Sequence, residues 1–231
     1  INQVISRVAG RLPVIVGTGA QSTHATIELT QQAITLGADG VLLVTPYYVK
    51  PTQQGLYEHY CAISQQCAIP QILYNVPSRT GCDLLPETVL RLSKQQHIVA
   101  LKDATADLTR LVSLCDEQCD LFMLSGDDAT AMEFMLSGGK GVISVASNVM
   151  PAMMKLLCDA AISGNREQAI NYNQQLMPLY KALLTESNPI PVKWALQQMG
   201  RIGEGLRLPL TTLTKGCQQG LVQSLQQLDV L

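Results

Sequence analysis

The sequence predicts an α/β fold, a (β/α)8 TIM barrel of which this chain contains six β/α units followed by a C-terminal helical extension. Six short apolar runs begin at residues 13, 40, 70, 97, 120 and 140, so that 20 to 30 residues separate successive starts. The runs lack polar alternation, which is typical of parallel strands buried on both faces. Helical patterns fill the intervals between them, as expected of repeated β/α units.

The elements follow in a regular order. The predicted strands are PVIVG (13–17), GVLLV (40–44), PQILYN (70–75), HIVALK (97–102), DLFMLSG (120–126) and KGVISV (140–145). The helical patterns between them cover residues 23–36, 54–66, 86–94, 108–115 and 129–136. After residue 150 the pattern is helical only, over 151–180, 191–199 and 215–228. Residues 1–11 resemble the second half of an amphipathic helix.

An open doubly wound sheet would show the same alternation, and the polar residues favour the barrel. Polar and ionisable side chains that could take part in catalysis follow many different strands. Active sites of barrel enzymes lie at the C-terminal ends of the strands. About 60 further residues before Ile1 would supply two more units and reach the ~250 residues typical of this barrel. We therefore expect residues 1–150 to form units 3 to 8, and residues 151–231 to add the last barrel helix and C-terminal helices of the same structural unit.

Composition excludes some classes of partner. The chain has 231 residues, of which 47% are hydrophobic and 15% charged, with a net charge of −2. This charge provides no basic surface for nucleic acid, and no apolar run approaches the ~18 residues of a membrane-spanning helix. The low share of charged residues is consistent with a homo-oligomer. The seven cysteines are odd in number and irregular in spacing, which favours free thiols and a cytoplasmic location.

Lys102 and Tyr74 are the strongest candidates for chemistry, because each closes an apolar run in neighbouring β/α units. Loss of hydration lowers the pKa of a buried lysine and frees its amine as a nucleophile, and a nearby phenol can transfer protons. The alternatives are a lysine that extends to solvent and a tyrosine at the rim with a satisfied hydroxyl.

Two other positions also have two interpretations. Tyr48, beside Tyr47, lines a pocket or a subunit contact. Arg79, in a loop after Tyr74, binds a substrate carboxylate through its planar guanidinium or is an ordinary surface arginine.

Other chemistries have weaker signals. The three histidines lack metal-ligand spacing, so no metal site is predicted. The segment at residues 17–19 is only the front of a dinucleotide fingerprint. A helix end explains the glycines at 138–141, and a helix N-cap explains Asp127 and Asp128 better than a Mg²⁺ site does.

Taken together, five ordered segments resemble a known family. They are YNVPSRTG (74–81), LKDAT (101–105), SGDD (125–128), GGKGVISV (138–145) and NPIPVKWAL (188–196). They closely resemble the 4-hydroxy-tetrahydrodipicolinate synthases, also called dihydrodipicolinate synthases. This family belongs to the class I pyruvate aldolase superfamily, with N-acetylneuraminate lyase and the 2-keto-3-deoxy sugar-acid aldolases. The likeness extends from Leu12 to near the C-terminus.

The resemblance implies a lyase of lysine and diaminopimelate biosynthesis that condenses pyruvate with L-aspartate 4-semialdehyde and needs no cofactor. Lys102 would form the Schiff base, and Tyr74 would relay protons together with Tyr48 from a neighbouring subunit. Arg79 would hold the semialdehyde carboxylate. Backbone groups of Gly126 and Ile143 would line the pyruvate pocket. The family expectation is a homotetramer, a dimer of dimers.

Departures from the family pattern leave alternatives open. The family segment GTTGE, which carries a relay threonine, is absent from this sequence, and Asp103 stands where the family usually has glutamate. Tyr47 and Gly19 match parts of a lysine-effector site, but Ala25 replaces a common acidic residue. Arg79 favours this family over a sugar-acid aldolase such as N-acetylneuraminate lyase. A non-catalytic pyruvate-binding relative is the third alternative.

Overall fold

A computed structural model describes residues 1–231, which divide into two compact units. The first unit contains Ile1–Gly126 and Ser137–Lys140, and the second contains Asp127–Leu136 and Gly141–Leu231. The alternation of strands and helices predicted from the sequence is confirmed. The prediction that residues 1–150 and 151–231 belong to one structural unit stays a prediction. No helix is long and apolar enough to cross a membrane.

The first unit is a parallel sheet with helices. Its strands are β1 (Ile15–Gly17), β2 (Gly40–Val44), β3 (Gln71–Asn75), β4 (Ile98–Asp103) and β5 (Phe122–Ser125). Its helices are α1 (Asn2–Val8), α2 (Thr23–Thr35), α3 (Gln53–Gln66), α4 (Pro77–Thr80), α5 (Pro86–Leu92) and α6 (Leu108–Asp116). The five strands lie in chain order, and each pairs in parallel with the next.

Burial of apolar side chains on its strands stabilises the sheet of the first unit. These are the residues from which the strands were predicted. Leu43, Leu73 and Leu101 lie on β2, β3 and β4 and are fully buried. Parallel strands bring the ends of successive strands to one edge, where the residues following them meet. This alignment of strand ends positions the candidate site.

The helices begin where local side chains cap them. The Ser22 hydroxyl accepts a hydrogen bond from the Ala25 N–H at the start of α2, and Thr52 caps α3 in the same way through Gly55. Asp107 accepts from the Thr109 N–H at the start of α6. These caps satisfy backbone donors that would otherwise lack a partner in the first helical turn.

The second unit is mainly helical. It contains α7 (Ala131–Leu136), the short strand β6 (Gly141–Val142), a 3₁₀ turn (Ala146–Asn148), α8 (Pro151–Ile162), α9 (Arg166–Leu183), α10 (Ile190–Gln198) and α11 (Lys215–Gln227). The single helical pattern predicted over 151–180 is two helices. Gly164, at φ +77°, separates α8 from α9, and the Asn165 side chain caps the second of them. The core packs around Leu157, Leu176 and Tyr180.

Candidate active site

Lys102 and Tyr74 lie side by side at the ends of β4 and β3. They are partners in the strand register, and the Lys102 Nζ lies 3.9 Å from the centroid of the Tyr74 ring. An ammonium over the face of an aromatic ring is a favourable contact. The structure therefore brings together the two residues that the sequence singled out on separate strands.

The surroundings of Lys102 are tightly packed. Only 9% of the residue is exposed, and Leu101 and Asp103 beside it are also buried. Gly126 follows β5, and its N–H donates to the Asp103 carbonyl at 2.7 Å. A Cβ built on Gly126 would lie 2.7 Å from the Ala104 Cβ and 3.0 Å from the Lys102 Cε. Only glycine fits at this position without displacing the lysine side chain.

The Tyr74 phenol is held in its protonated form. Burial raises the pKa of this phenol, and the positive charge of Arg79 lowers it by a smaller amount. A protonated phenol beside an amine can donate a proton to an oxygen leaving the reacting carbon. Arg79 affects the pKa of Tyr74 through its positive charge.

Arg79 lies on α4, a one-turn helix, and not in the loop that the sequence predicted. Pro77 begins this helix, and Gly81 ends it in the left-handed conformation at φ +73°. The pattern PSRTG contains both signals, Pro at the first turn and Gly at the C-terminal end. The Arg79 side chain is exposed and available to a carboxylate.

Tyr48 follows β2 in a strained backbone conformation. Its φ is +74°, its N–H donates to the Thr80 carbonyl at 3.2 Å, and 84% of the residue is exposed. Such a conformation in a residue other than glycine is costly and often marks a functional position. Within this chain Tyr48 contributes little to the surroundings of Lys102, because its side chain extends into solvent.

Ile143 lies in the second unit, directly after β6, and is half-buried. The segment that follows it is anchored by Asp128, whose Oδ2 accepts hydrogen bonds from the N–H groups of Val145 and Ala146 at 3.1 and 2.9 Å. Asp127 accepts from the Thr130 N–H and hydroxyl before α7. Asp127 therefore bonds at the start of α7 as the N-cap prediction requires, whereas Asp128 does not cap α7 and instead holds the segment at residues 145–146.

The sequence analysis missed a polar cluster behind the two strand ends. Arg110 on α6 donates to Asp103 at 3.1 Å, to Asp83 at 3.0 Å and to the Leu84 carbonyl at 2.6 Å. Asn75, the last residue of β3, donates to Asp83 at 2.7 Å. A signal was present, because Asp103 directly follows Lys102 and an arginine stands seven residues later. No group of three or more histidines, cysteines or acidic residues is arranged to hold a metal ion.

Comparison with known proteins identifies close relatives. The model of the dihydrodipicolinate synthetase family matches residues 1–228. A 4-hydroxy-tetrahydrodipicolinate synthase of Coxiella burnetii is 57% identical over 230 residues, which span 100% of this chain and 79% of the relative. One of Pseudomonas aeruginosa is 56% identical over 232 residues, which span 100% of this chain and 80% of the relative.

Solved structures give the same result. The chain is similar to a chloride-inhibited dihydrodipicolinate synthase of Acinetobacter baumannii crystallised with pyruvate, with a TM-score of 0.97 and 48% identity. The match covers 100% of this chain and 79% of that one. It is also similar to a dihydrodipicolinate synthase of Cyanidioschyzon merolae with lysine bound, with a TM-score of 0.95, 38% identity, and coverage of 100% and 79%.

Proposed function

The chain belongs to the dihydrodipicolinate synthetase family, and on that premise we propose that it is an enzyme of the class I aldolase kind that condenses pyruvate with L-aspartate 4-semialdehyde. One observation of this molecule supports the proposal most directly. The Lys102 Nζ lies 3.9 Å from the centre of the Tyr74 ring, at the ends of adjacent parallel strands. An amine for imine formation and a phenol for proton transfer are thus next to each other.

The chemistry begins with covalent capture of the keto acid. The neutral Lys102 amine attacks the pyruvate keto carbon, and water leaves with a proton supplied by Tyr74, forming a protonated imine. The imine withdraws electrons, so a methyl proton passes to the Tyr74 phenolate and an enamine forms. The enamine carbon attacks the semialdehyde's aldehyde carbon, which restores the protonated imine, and the aldehyde oxygen takes the proton back from Tyr74. The substrate amine then attacks the imine carbon and replaces the lysine nitrogen, forming a cyclic imine and releasing Lys102 as a neutral amine. The A. baumannii relative was crystallised with pyruvate, which supports this first substrate.

Arg79 binds the carboxylate of the semialdehyde in this proposal. Arg79 lies on α4, directly after β3, and its guanidinium is exposed. Its charge lowers the pKa of Tyr74. Both observations support a position for Arg79 at the entrance of the site. A planar guanidinium binds a carboxylate through two parallel hydrogen bonds, which suits a short amino acid better than a polyol. This preference separates the proposed substrate from the sugar acids of related aldolases.

We infer that the protein acts as a homo-oligomer, with the tetramer, a dimer of dimers, as the expected state. The support is Tyr48, which is strained and exposed. Tyr47 and Val49 on either side of it are exposed as well. Packing against a neighbouring subunit would bury these three side chains and bring the Tyr48 phenol into the proton relay of that subunit.

The same premise extends to fold, location and regulation. We infer that the parallel sheet is part of a (β/α)8 barrel, supported by the TM-score of 0.97 over the whole chain. The seven free cysteines support a cytoplasmic location. We propose lysine as an effector, supported by the lysine-bound C. merolae relative and by the prediction for Tyr47 and Gly19.

Borohydride trapping tests the central claim. Incubation with pyruvate and borohydride is expected to add the mass of a reduced pyruvate imine at Lys102, located by peptide mass spectrometry. Lys102→Ala is expected to abolish both the adduct and turnover of pyruvate with the semialdehyde. Lys155→Ala is the matched control, because Lys155 is exposed and paired only with Asp159. No adduct in the unaltered protein, or cleavage of N-acetylneuraminate in place of condensation, would overturn the proposal.

A further inference from the structure

The polar cluster of Arg110, Asp103, Asp83 and Asn75 lies directly behind the proposed catalytic pair. Asn75 and Asp103 are partners in the strand register, one residue beyond Tyr74 and Lys102. Successive side chains on a strand point to opposite faces, so Asn75 and Asp103 extend away from the face that carries the catalytic pair. Both are buried, with exposed fractions of 0% and 6%.

A single guanidinium joins the segments that surround this pair. The Arg110 Nε donates to the Asp103 Oδ2, its Nη1 to the Asp83 Oδ2, and its Nη2 to the Leu84 carbonyl. Asp83 and Leu84 follow α4, and the Asn75 side chain completes the link by donating to Asp83 and accepting from the Leu84 N–H at 2.9 Å. The ends of β3 and β4, the segment after α4 and the first turn of α6 are thereby tied together.

The geometry requires an arginine. All three guanidinium nitrogens are used, in three different directions, and only 12% of the side chain is exposed. A lysine ammonium is a point charge on a flexible stem and cannot reproduce this planar arrangement. Without any cation, the buried Asp103 carboxylate and the partly exposed Asp83 carboxylate would face each other with no positive charge between them, and their repulsion would separate the strand end from the segment after α4.

We propose that Arg110 is a positioning residue for imine formation. Through Asp103, Asp83 and Asn75 it holds the ends of β3 and β4 in register, which keeps the Lys102 amine over the Tyr74 ring. Arg110 acts through other residues and does not touch the reacting atoms. The inference rests on the proposed function, because it assigns Arg110 to the Schiff-base step of the same site.

The physical reason for an effect on rate is the sensitivity of nucleophilic attack to geometry. A displacement of about 1 Å at a reacting group can reduce a rate about 10²-fold. Arg110→Met removes the charge and the three hydrogen bonds, and we expect the rate of pyruvate trapping at Lys102 to fall about 10²-fold. Arg110→Lys keeps the charge, and we expect a partial rescue, with a loss of about 10-fold. The loss is expected in kcat, with the KM for pyruvate changed less than about threefold.

The experiment measures the single-turnover rate of borohydride-trapped adduct at Lys102, the two kinetic constants, and the thermal unfolding midpoint of each variant. Arg91→Met is the matched control. Arg91 is also an arginine of the first unit, but it is exposed and contacts only Gln54 and the Tyr57 ring. We expect this control to trap pyruvate at the unaltered rate.

The outcomes separate positioning from a purely structural role. A lower unfolding midpoint with unchanged trapping rates in folded Arg110→Lys and Arg110→Met would overturn the inference and leave the proposed function intact. If Arg110→Met does not fold, folded Arg110→Lys decides, and an unaltered trapping rate in it also overturns the inference. No adduct in the unaltered protein would overturn the proposed function, and this inference with it.

Discussion

Replacement of Gly126 by alanine tests whether the site depends on close packing around Lys102. The added Cβ would lie 2.7 Å from the Ala104 Cβ and 3.0 Å from the Lys102 Cε, whereas ordinary contacts begin at 3.4 Å. The neighbours must therefore move by about 0.7 Å and 0.4 Å respectively, as the differences between these distances show. Ala104 continues the chain from β4, so the displacement acts on backbone as well as on the lysine.

The expected cost appears in both stability and rate. Overpacking of a tightly packed position lowers the free energy of unfolding by about 1–3 kcal/mol. A shift of roughly half an ångström in the reacting amine is expected to reduce the rate of pyruvate trapping about 10-fold or more. Urea unfolding gives the first quantity, and single-turnover borohydride trapping at Lys102 gives the second.

Gly220→Ala is the control for the glycine-to-alanine change itself. Gly220 lies within α11, and a Cβ there meets nothing within 4 Å. Alanine is a better helix former than glycine, so this variant is expected to gain roughly 0.5–1 kcal/mol with unaltered trapping. Equal trapping rates in Gly126→Ala and the unaltered protein would refute the argument that this glycine sets the position of Lys102.

Three further predictions concern a proton carrier, a buried histidine and the helical core. Tyr74→Phe keeps the ring under Lys102 but removes the hydroxyl, so turnover is expected to fall about 10²-fold or more with the unfolding midpoint unchanged. Because burial raises the pKa of Tyr74, the unaltered protein is expected to keep this phenol protonated through neutral pH. Its ability to donate a proton is expected to be lost only above pH 10.0, the ordinary pKa of tyrosine. His59 is buried, and burial lowers its pKa from 6.5 to about 4. The unfolded chain therefore takes up this proton below pH 6.5 while the folded chain does so only near 4, and the free energy of unfolding is expected to fall by up to about 3 kcal/mol over that interval. Leu157→Ala, in the core of the second unit, is expected to cost about 2–5 kcal/mol, and Leu156→Ala, which is 47% exposed, less than about 1 kcal/mol.

Each of these predictions has a contrary result. A Tyr74→Phe variant with full turnover would remove the phenol from the mechanism. Denaturant titrations of His59→Asn between pH 7 and pH 4.5 are expected to show a shallower acid loss than the unaltered protein, and equal slopes would contradict the assignment to His59. Equal losses for the two leucine variants would contradict the packing described for α8.

The local sequence was a good guide to the secondary-structure elements. Apolar runs without polar alternation located all six strands, because a strand buried on both faces has no polar positions. Helical patterns between these runs located most helices. The prediction was wrong where a single glycine divides α8 from α9, and where Pro77 and Gly81 convert a predicted loop into α4. In both places one or two residues changed the local backbone without altering the wider hydrophobic pattern.

By itself, the sequence determined that this chain alternates strands and helices, and that a lysine and a tyrosine close neighbouring strands. These properties depend on residue type and spacing along the chain. Only the tertiary structure decided that the Lys102 amine lies over the Tyr74 ring, that Gly126 leaves room for it, and that Arg110 joins Asp103 to Asp83. The physical reason is that strand register and side-chain direction bring together residues far apart in the chain, such as Tyr74 and Lys102, 28 positions apart, and Asp83 and Arg110, 27 positions apart, and no local pattern specifies which of them will meet.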